Sequence, residues 1–115
     1  MTTIFHNPRC SKSRETLALL EENNIQPDIR LYLENAPSVS EIQELLAMLQ
    51  LQPIELMRRK ESLYKELGLD SEEVTDEQRL TAMEQNPKLI ERPIVIHNGK
   101  AKIGRPPEQV LELFA

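Results

Sequence analysis

The sequence predicts a mixed α/β fold: one four-stranded sheet with both parallel and antiparallel pairs, and helices on its faces. Three observations predict it. A strand pattern, a helix pattern and a second strand pattern follow one another through short links from Thr2 to Leu33. Amphipathic helical patterns fill the middle. Period two then returns on either side of Asn98-Gly99, followed by one more helical pattern. The first arrangement is a βαβ unit, whose strands run parallel through a right-handed crossover. The last is a ββα unit. Two such halves most simply share one sheet.

Each element has its own signal. Thr2 to Phe5 is β-branched and aromatic, as a short strand is. Asn7-Pro8 breaks it. A helix then runs from Cys10 to about Glu22 with Leu17 and Leu20 on its apolar face, and Asn23-Asn24 ends it. Gln26-Pro27 turns the chain. Ile29-Arg30-Leu31-Tyr32-Leu33 alternates as a half-buried strand does. Ser38-Val39-Ser40-Glu41 is a capping box, and Ile42, Leu45, Leu46 and Leu49 follow on one helical face. Pro53 suits the first turn of a further helix, with Ile54, Leu56 and Met57 on its apolar side. Leu63, Tyr64 and Leu67 form another turn, closed by Gly68 at C′. Thr75-Asp76-Glu77-Gln78 is a second capping box, and Leu80, Met83, Leu89 and Ile90 supply that helix's apolar side until Pro87 stops it.

Pro93 to His97 is a strand. Asn98-Gly99 suits a type I′ turn, which needs positive φ twice. Lys100 to Ile103 returns antiparallel, Gly104 to Glu108 breaks the pattern, and a final helix buries Val110, Leu111 and Phe114.

Composition narrows the class. A chain of 115 residues suggests one domain over 1–115. At that size roughly two-thirds of the unfolded surface is buried, which needs no disulfide or metal staple. Apolar residues make up 39% and aromatics only 3%, so Leu-rich helical layers should dominate the core. The net charge of -5 argues against a nucleic-acid partner. No apolar run is long enough to span a membrane, and no signal-peptide pattern follows Met1. A lone cysteine makes no internal disulfide. The expectation is a cytoplasmic protein with a reduced thiol and no membrane association.

That cysteine is the one strong nucleophile. Cys10 falls between a strand and a helix, near backbone N–H groups that lack intrahelical partners. Those amides and the helix dipole favour negative charge, so they lower a thiol pKa and can hold an oxyanion. Arg9, Lys12 and Arg14 push the same way, against an acidic background. Arg58, Arg92 and Arg105 each stand at an element edge or a turn, and a guanidinium binds an oxyanion through two parallel donors. Arg92 and Arg105 each precede a proline. Pro93 opens a strand that should be central, where its missing N–H needs an explanation; a cis Arg92-Pro93 bond is one.

His6 either supports a thiolate or is a hydrogen-bonded structural histidine at the strand end. Ser13 either bonds the thiolate or caps the helix. His97, at the hairpin tip, should be solvated. Tyr64 and the nearby carboxylates read as a solvated acidic face. The spacing of the one cysteine and two histidines fits no metal template.

The run His6-Asn7-Pro8-Arg9-Cys10-Ser11-Lys12-Ser13-Arg14, with Tyr32-Leu33, Tyr64-Lys65-Glu66-Leu67-Gly68-Leu69, Thr75-Asp76, Pro87 to Val95 and Gly104-Arg105-Pro106-Pro107-Glu108, resembles the arsenate reductase family of the glutathione/glutaredoxin-coupled type. The likeness covers nearly the whole chain in collinear order. It implies a thioredoxin-like sheet with a helical insertion. It further implies that Cys10 is the catalytic cysteine and that Arg58, Arg92 and Arg105 bind the oxyanion. Counting back from Tyr64 favours Arg58 over Arg59. His6 and Ser13 match supporting positions, and Pro93 matches a cis-proline.

The mechanism so implied has Cys10 form a thiol–arsenate adduct. Glutathione, a co-substrate rather than a bound cofactor, attacks next, because no second cysteine is present to resolve the adduct. Glutaredoxin reduces the mixed disulfide and arsenite leaves. One competing reading is a regulatory or adaptor protein on the same scaffold, of the RNA polymerase-binding type, although Ser13 stands where those proteins carry a second cysteine. Another is a reductase of a different oxyanion or thiol substrate.

Overall fold

β-Branched and aromatic side chains put Thr2–Phe5 into strand β1. Helix α1 (Ser11–Glu22) carries the chain back to β2 (Asp28–Arg30), which pairs parallel to β1 with Thr3 opposite Asp28 and Phe5 opposite Arg30. Strand β3 (Ile94–His97) pairs antiparallel on the other side of β1. Asn98 and Gly99, at φ 49° and 78°, then turn the chain into β4 (Lys100–Ile103). The computed structural model describes all residues, Met1–Ala115. Its sheet order is β2-β1-β3-β4, the mixed four-stranded, thioredoxin-like sheet with flanking helices that the sequence predicts.

Register decides what meets at the end of this sheet. Phe5 faces Ile94, and Ile94 faces Ile103. The loop leaving β1, the residues entering β3 and the residues leaving β4 therefore emerge at one edge. Those are His6 to Cys10, Arg92-Pro93 and Gly104-Arg105.

The chain forms two compact units: Met1–Asn35 with Arg92–Ala115, and Ala36–Glu91. In the first, Ile4, Leu20, Val95 and Val110 are fully buried, with Leu17, Ile25, Leu113 and Phe114 packed around them. The final segment, Pro107–Phe114, is a 3₁₀ helix. Its side chains repeat every three residues, so Pro107 and Val110 are buried, while Leu111, Leu113 and Phe114 are half-buried. Of the expected face of Val110, Leu111 and Phe114, Val110 is fully buried and Phe114 packs on the core cluster.

Two further expectations are corrected in this unit. The alternation from Ile29 to Leu33 does not bury its leucines: Ile29 is 52% exposed, Leu31 38% and Leu33 43%, while Tyr32 is 1% exposed. Strand β2 is an edge strand that ends at Arg30, and the chain turns there, with Glu34 N–H donating to Leu31 O at 3.0 Å. The aromatic rings set the facing instead. Tyr32 stacks on Phe5 at 6.2 Å, and the Arg30 guanidinium lies 5.1 Å from the Phe5 ring centroid. His97 is half-buried rather than solvated, because its Nδ1 bonds Thr2 Oγ1 at 2.8 Å and its ring meets Phe114 at 4.4 Å.

The second unit is helical: α2 (Val39–Leu49), α3 (Pro53–Leu56), α4 (Ser62–Glu66), α5 (Asp76–Gln85) and a 3₁₀ turn at Pro87–Leu89. Both expected capping boxes are present, Ser38 with Glu41 and Thr75 with Gln78. Gly68, at φ 63°, closes α4 as expected. Tyr64, however, is buried at 4% exposure while Leu67 is 48% exposed. A helix of five residues turns few side chains inward, and Tyr64 takes that place. Leu89 and Ile90 lie beyond α5; Leu89 is buried in the 3₁₀ turn, and Ile90 bridges Met57. No helix is long and apolar enough to cross a membrane.

Candidate functional site

The loop leaving β1 is wound by its own short polar side chains. Asn7 Oδ1 accepts from Arg9 N–H at 3.0 Å, and Asn7 O accepts from Cys10 N–H at 3.0 Å. Arg14 reaches back from α1 to donate to Pro8 O at 2.8 Å. These bonds deliver Cys10 as the N-cap residue of α1, with extended backbone (φ -96°, ψ 123°) and its carbonyl accepting the first helical bond from Arg14 N–H at 3.0 Å. Its side chain makes no capping bond. The first-turn amides next to Cys10 are ones that the helix itself leaves unpartnered.

Ser13 sits in the first turn of α1, fully buried, and does not cap it. Its Oγ accepts from Asn7 N–H at 3.0 Å and lies 2.7 Å from His6 Nδ1. The Ser13 hydroxyl thus links the Asn7 backbone to the His6 ring, and the imidazole tautomer sets which of Oγ and Nδ1 donates. Burial first, and the Arg14 charge second, lower the His6 pKa from its ordinary value. A neutral His6 follows. Its partner in the loop is Ser13, so it braces the turn that carries Cys10.

Cys10 is free and 9% exposed. Arg105 Nη2 donates to its Sγ at 3.7 Å, and Arg105 Nε donates to Arg92 O at 2.7 Å. The guanidinium thus spans the sulfur and the backbone entering β3. The Arg92-Pro93 peptide is cis, and so is Arg105-Pro106. Pro93 O accepts from Gly104 N–H at 2.9 Å, which joins the two proline-bearing turns.

Of the expected residues, Cys10, Arg105, Arg92 through its carbonyl, and Pro93 meet at this sheet edge, with His6 and Ser13 in the loop behind. Arg58 belongs to the Ala36–Glu91 unit. There its Nη1 lies 3.1 Å from Glu61 Oε2 and its Nε 3.7 Å from Glu91 Oε1, while its N–H donates to Leu89 O at 2.7 Å. An anion bound by Arg58 would compete with two carboxylates. No cluster of three or more His, Cys, Asp or Glu side chains could hold a metal.

A cavity of about 310 Å³ adjoins the loop, lined by His6, Asn7, Pro8, Arg9, Leu31, Leu33 and Glu34. That volume suits a small molecule. A larger cavity of about 680 Å³ lies within the helical unit beside α5. Its lining includes no cysteine, histidine or arginine, and the smaller cavity is lined by the loop that carries Cys10 but not by Cys10 itself.

Two contributors escape a reading of sequence. Thr16 is buried in α1, its Oγ1 donating to Lys12 O at 2.8 Å, and a threonine inside a helical pattern carries no signal. Gly104 reads as a strand breaker, although a glycine directly before Arg105 also signals close backbone approach.

Comparison with known proteins places these features in context. The ArsC family model matches residues 5–113. The chain is 57% identical over 111 residues to the Escherichia coli K12 protein described as uncharacterized protein YfgD, covering 96% of this chain and 93% of that one. It is 52% identical over 112 residues to the arsenate reductase of Haemophilus influenzae, covering 96% and 97%. The solved structure of an arsenate reductase from Vibrio cholerae superposes with a TM-score of 0.95 at 55% identity, covering 97% and 96% of the two chains.

Proposed function

Because the chain belongs to the ArsC family, we propose that it is an enzyme, a thiol-dependent arsenate reductase with Cys10 as its nucleophile. The observation that carries this reading is the Arg105 guanidinium donating to Cys10 Sγ at 3.7 Å, at the amide end of α1. A sulfur so placed has a donor that stabilises its charge. An oxyanion arriving there meets first-turn N–H groups and a guanidinium together.

In the proposed reaction Sγ attacks arsenic and displaces water or hydroxide, giving a thiol–arsenate adduct. A glutathione thiolate then attacks the Cys10 sulfur. The sulfur–arsenic bond breaks with its electron pair on arsenic, which leaves reduced as arsenite. Cys10 remains in a mixed disulfide with glutathione, and glutaredoxin reduces it. An external thiol is required because the chain has only one cysteine. Arg92 and Arg105 act as oxyanion ligands at the sheet edge. His6 and Ser13 support the loop, and the cell compartment that suits a reduced thiol is the cytoplasm.

The test is arsenite formation from arsenate with glutathione and glutaredoxin supplied. Turnover should need both, and Cys10→Ser should reduce it to background. Folded wild-type protein that forms no arsenite would remove arsenate as the substrate.

A further inference from the structure

Position 104 has no space for a side chain. A Cβ there would lie 2.5 Å from Thr16 Oγ1, 2.9 Å from Pro93 Cγ and 3.2 Å from Thr16 Cγ2. Non-bonded carbon prefers about 3.5–4.0 Å, so the backbone at Gly104 rests on Thr16 and Pro93 as closely as glycine allows. Neither neighbour is loose. Thr16 is fully buried, and its hydroxyl is tied to Lys12 O at 2.8 Å. Pro93 O accepts from Gly104 N–H at 2.9 Å.

The contact joins three things the chemistry needs. Thr16 is on α1, whose N-cap is Cys10. Pro93 follows Arg92. Gly104 precedes Arg105, whose side chain stands on two fixed points, Arg92 O at 2.7 Å and Cys10 Sγ at 3.7 Å.

We infer that Gly104 and Thr16 are positioning residues: the bare backbone at 104 lies against Thr16 so that Arg105 reaches the Cys10 sulfur. A methyl group at 104 lifts the chain off α1 and carries the guanidinium away from Sγ. The inference rests on the reading of Cys10 as a nucleophile assisted by Arg105. It is tested on the reactivity of the sulfur, so its failure is distinguishable from a failure of arsenate turnover.

The experiment measures alkylation of Cys10 by iodoacetamide across pH. Cys10 is the only cysteine, and the reagent is uncharged. Gly104→Ala should slow alkylation at pH 7 about tenfold, to the rate of Arg105→Ala. In the Arg105→Ala background the same change should have no further effect, because residues that act through one another are not additive. Thr16→Ala should restore part of the rate to Gly104→Ala, because it removes the two Thr16 contacts and leaves the one to Pro93. Thr16→Val, of equal bulk, should not. A Gly104→Ala profile matching wild type overturns the inference, and so does a loss that persists undiminished without Arg105. If circular dichroism shows Gly104→Ala unfolded, Thr16→Ile in the Gly104 protein replaces it. A slowed profile there supports the inference, and a wild-type profile overturns it.

Discussion

Arg105 holds two groups at the end of the sheet. Its Nε is held by the Arg92 carbonyl and its Nη2 by the Cys10 sulfur. Arg105 thus stands at the Cys10 sulfur, whereas Arg58 faces Glu61 and Glu91. Arg105→Ala should therefore lower kcat/KM for arsenate about 10²–10³-fold, the usual cost of deleting one preorganised oxyanion donor. Steady-state kinetics checks it, and unchanged kinetics would take Arg105 out of the site. His6 gives a second prediction. Its folded pKa lies below the ordinary value, so the unfolded chain binds the proton more readily. The stability due to neutral His6 is complete above about pH 6.5 and is lost as pH falls from there toward the lowered folded value. Urea midpoints at pH 7.5 and 5.5 should separate more for wild type than for His6→Gln. Equal separation would show that His6 does not titrate between the two states.

The elements differ in what holds them. Helix α2 starts from a complete capping box, with Ser38 Oγ accepting from Glu41 N–H at 3.1 Å and Glu41 Oε1 accepting from Ser38 N–H at 3.1 Å. Ser38→Ala should cost about 1 kcal/mol in chemical denaturation. Helix α5 carries a less legible device. Arg79 is 8% exposed and donates to Leu69 O, Ser71 O and Val74 O, satisfying the carbonyls of the preceding loop. Arg79→Leu would leave the buried Leu69 carbonyl without its two guanidinium donors. It should destabilise more than Ser38→Ala, on the order of 2–3 kcal/mol. A loss no larger than that of the cap would refute the clamp. Caps are readable because a serine three residues before a glutamate is a local pattern. Arg79 is not, because its acceptors are backbone groups five to ten residues away whose approach depends on how the loop folds.

For the molecule as a whole, the sheet unit depends on a small sealed cluster. Leu20 and Val110 meet Ile4 and Val95 with no exposure. Leu20→Ala should cost about 2–5 kcal/mol, measurable as a fall in denaturation midpoint, because the rigid sheet collapses little into the space. Leu31→Ser, on an exposed position, should change stability by less than about 0.5 kcal/mol. Near-equal effects of the two would misplace the core.

Alternation and capping patterns by themselves determined the element order, the hairpin at Asn98-Gly99 and the cysteine at a helix start, because each depends on neighbours a few residues away. Only tertiary structure decided which face of the Ile29–Leu33 stretch is buried, how His97 is held, and why residue 104 is bare. Those depend on strands ending at one edge of the sheet, where side chains some ninety residues apart in the chain come within bonding distance, as Arg105 and Cys10 do. A periodic pattern encodes distances along the backbone, and a packed site is defined by distances through space.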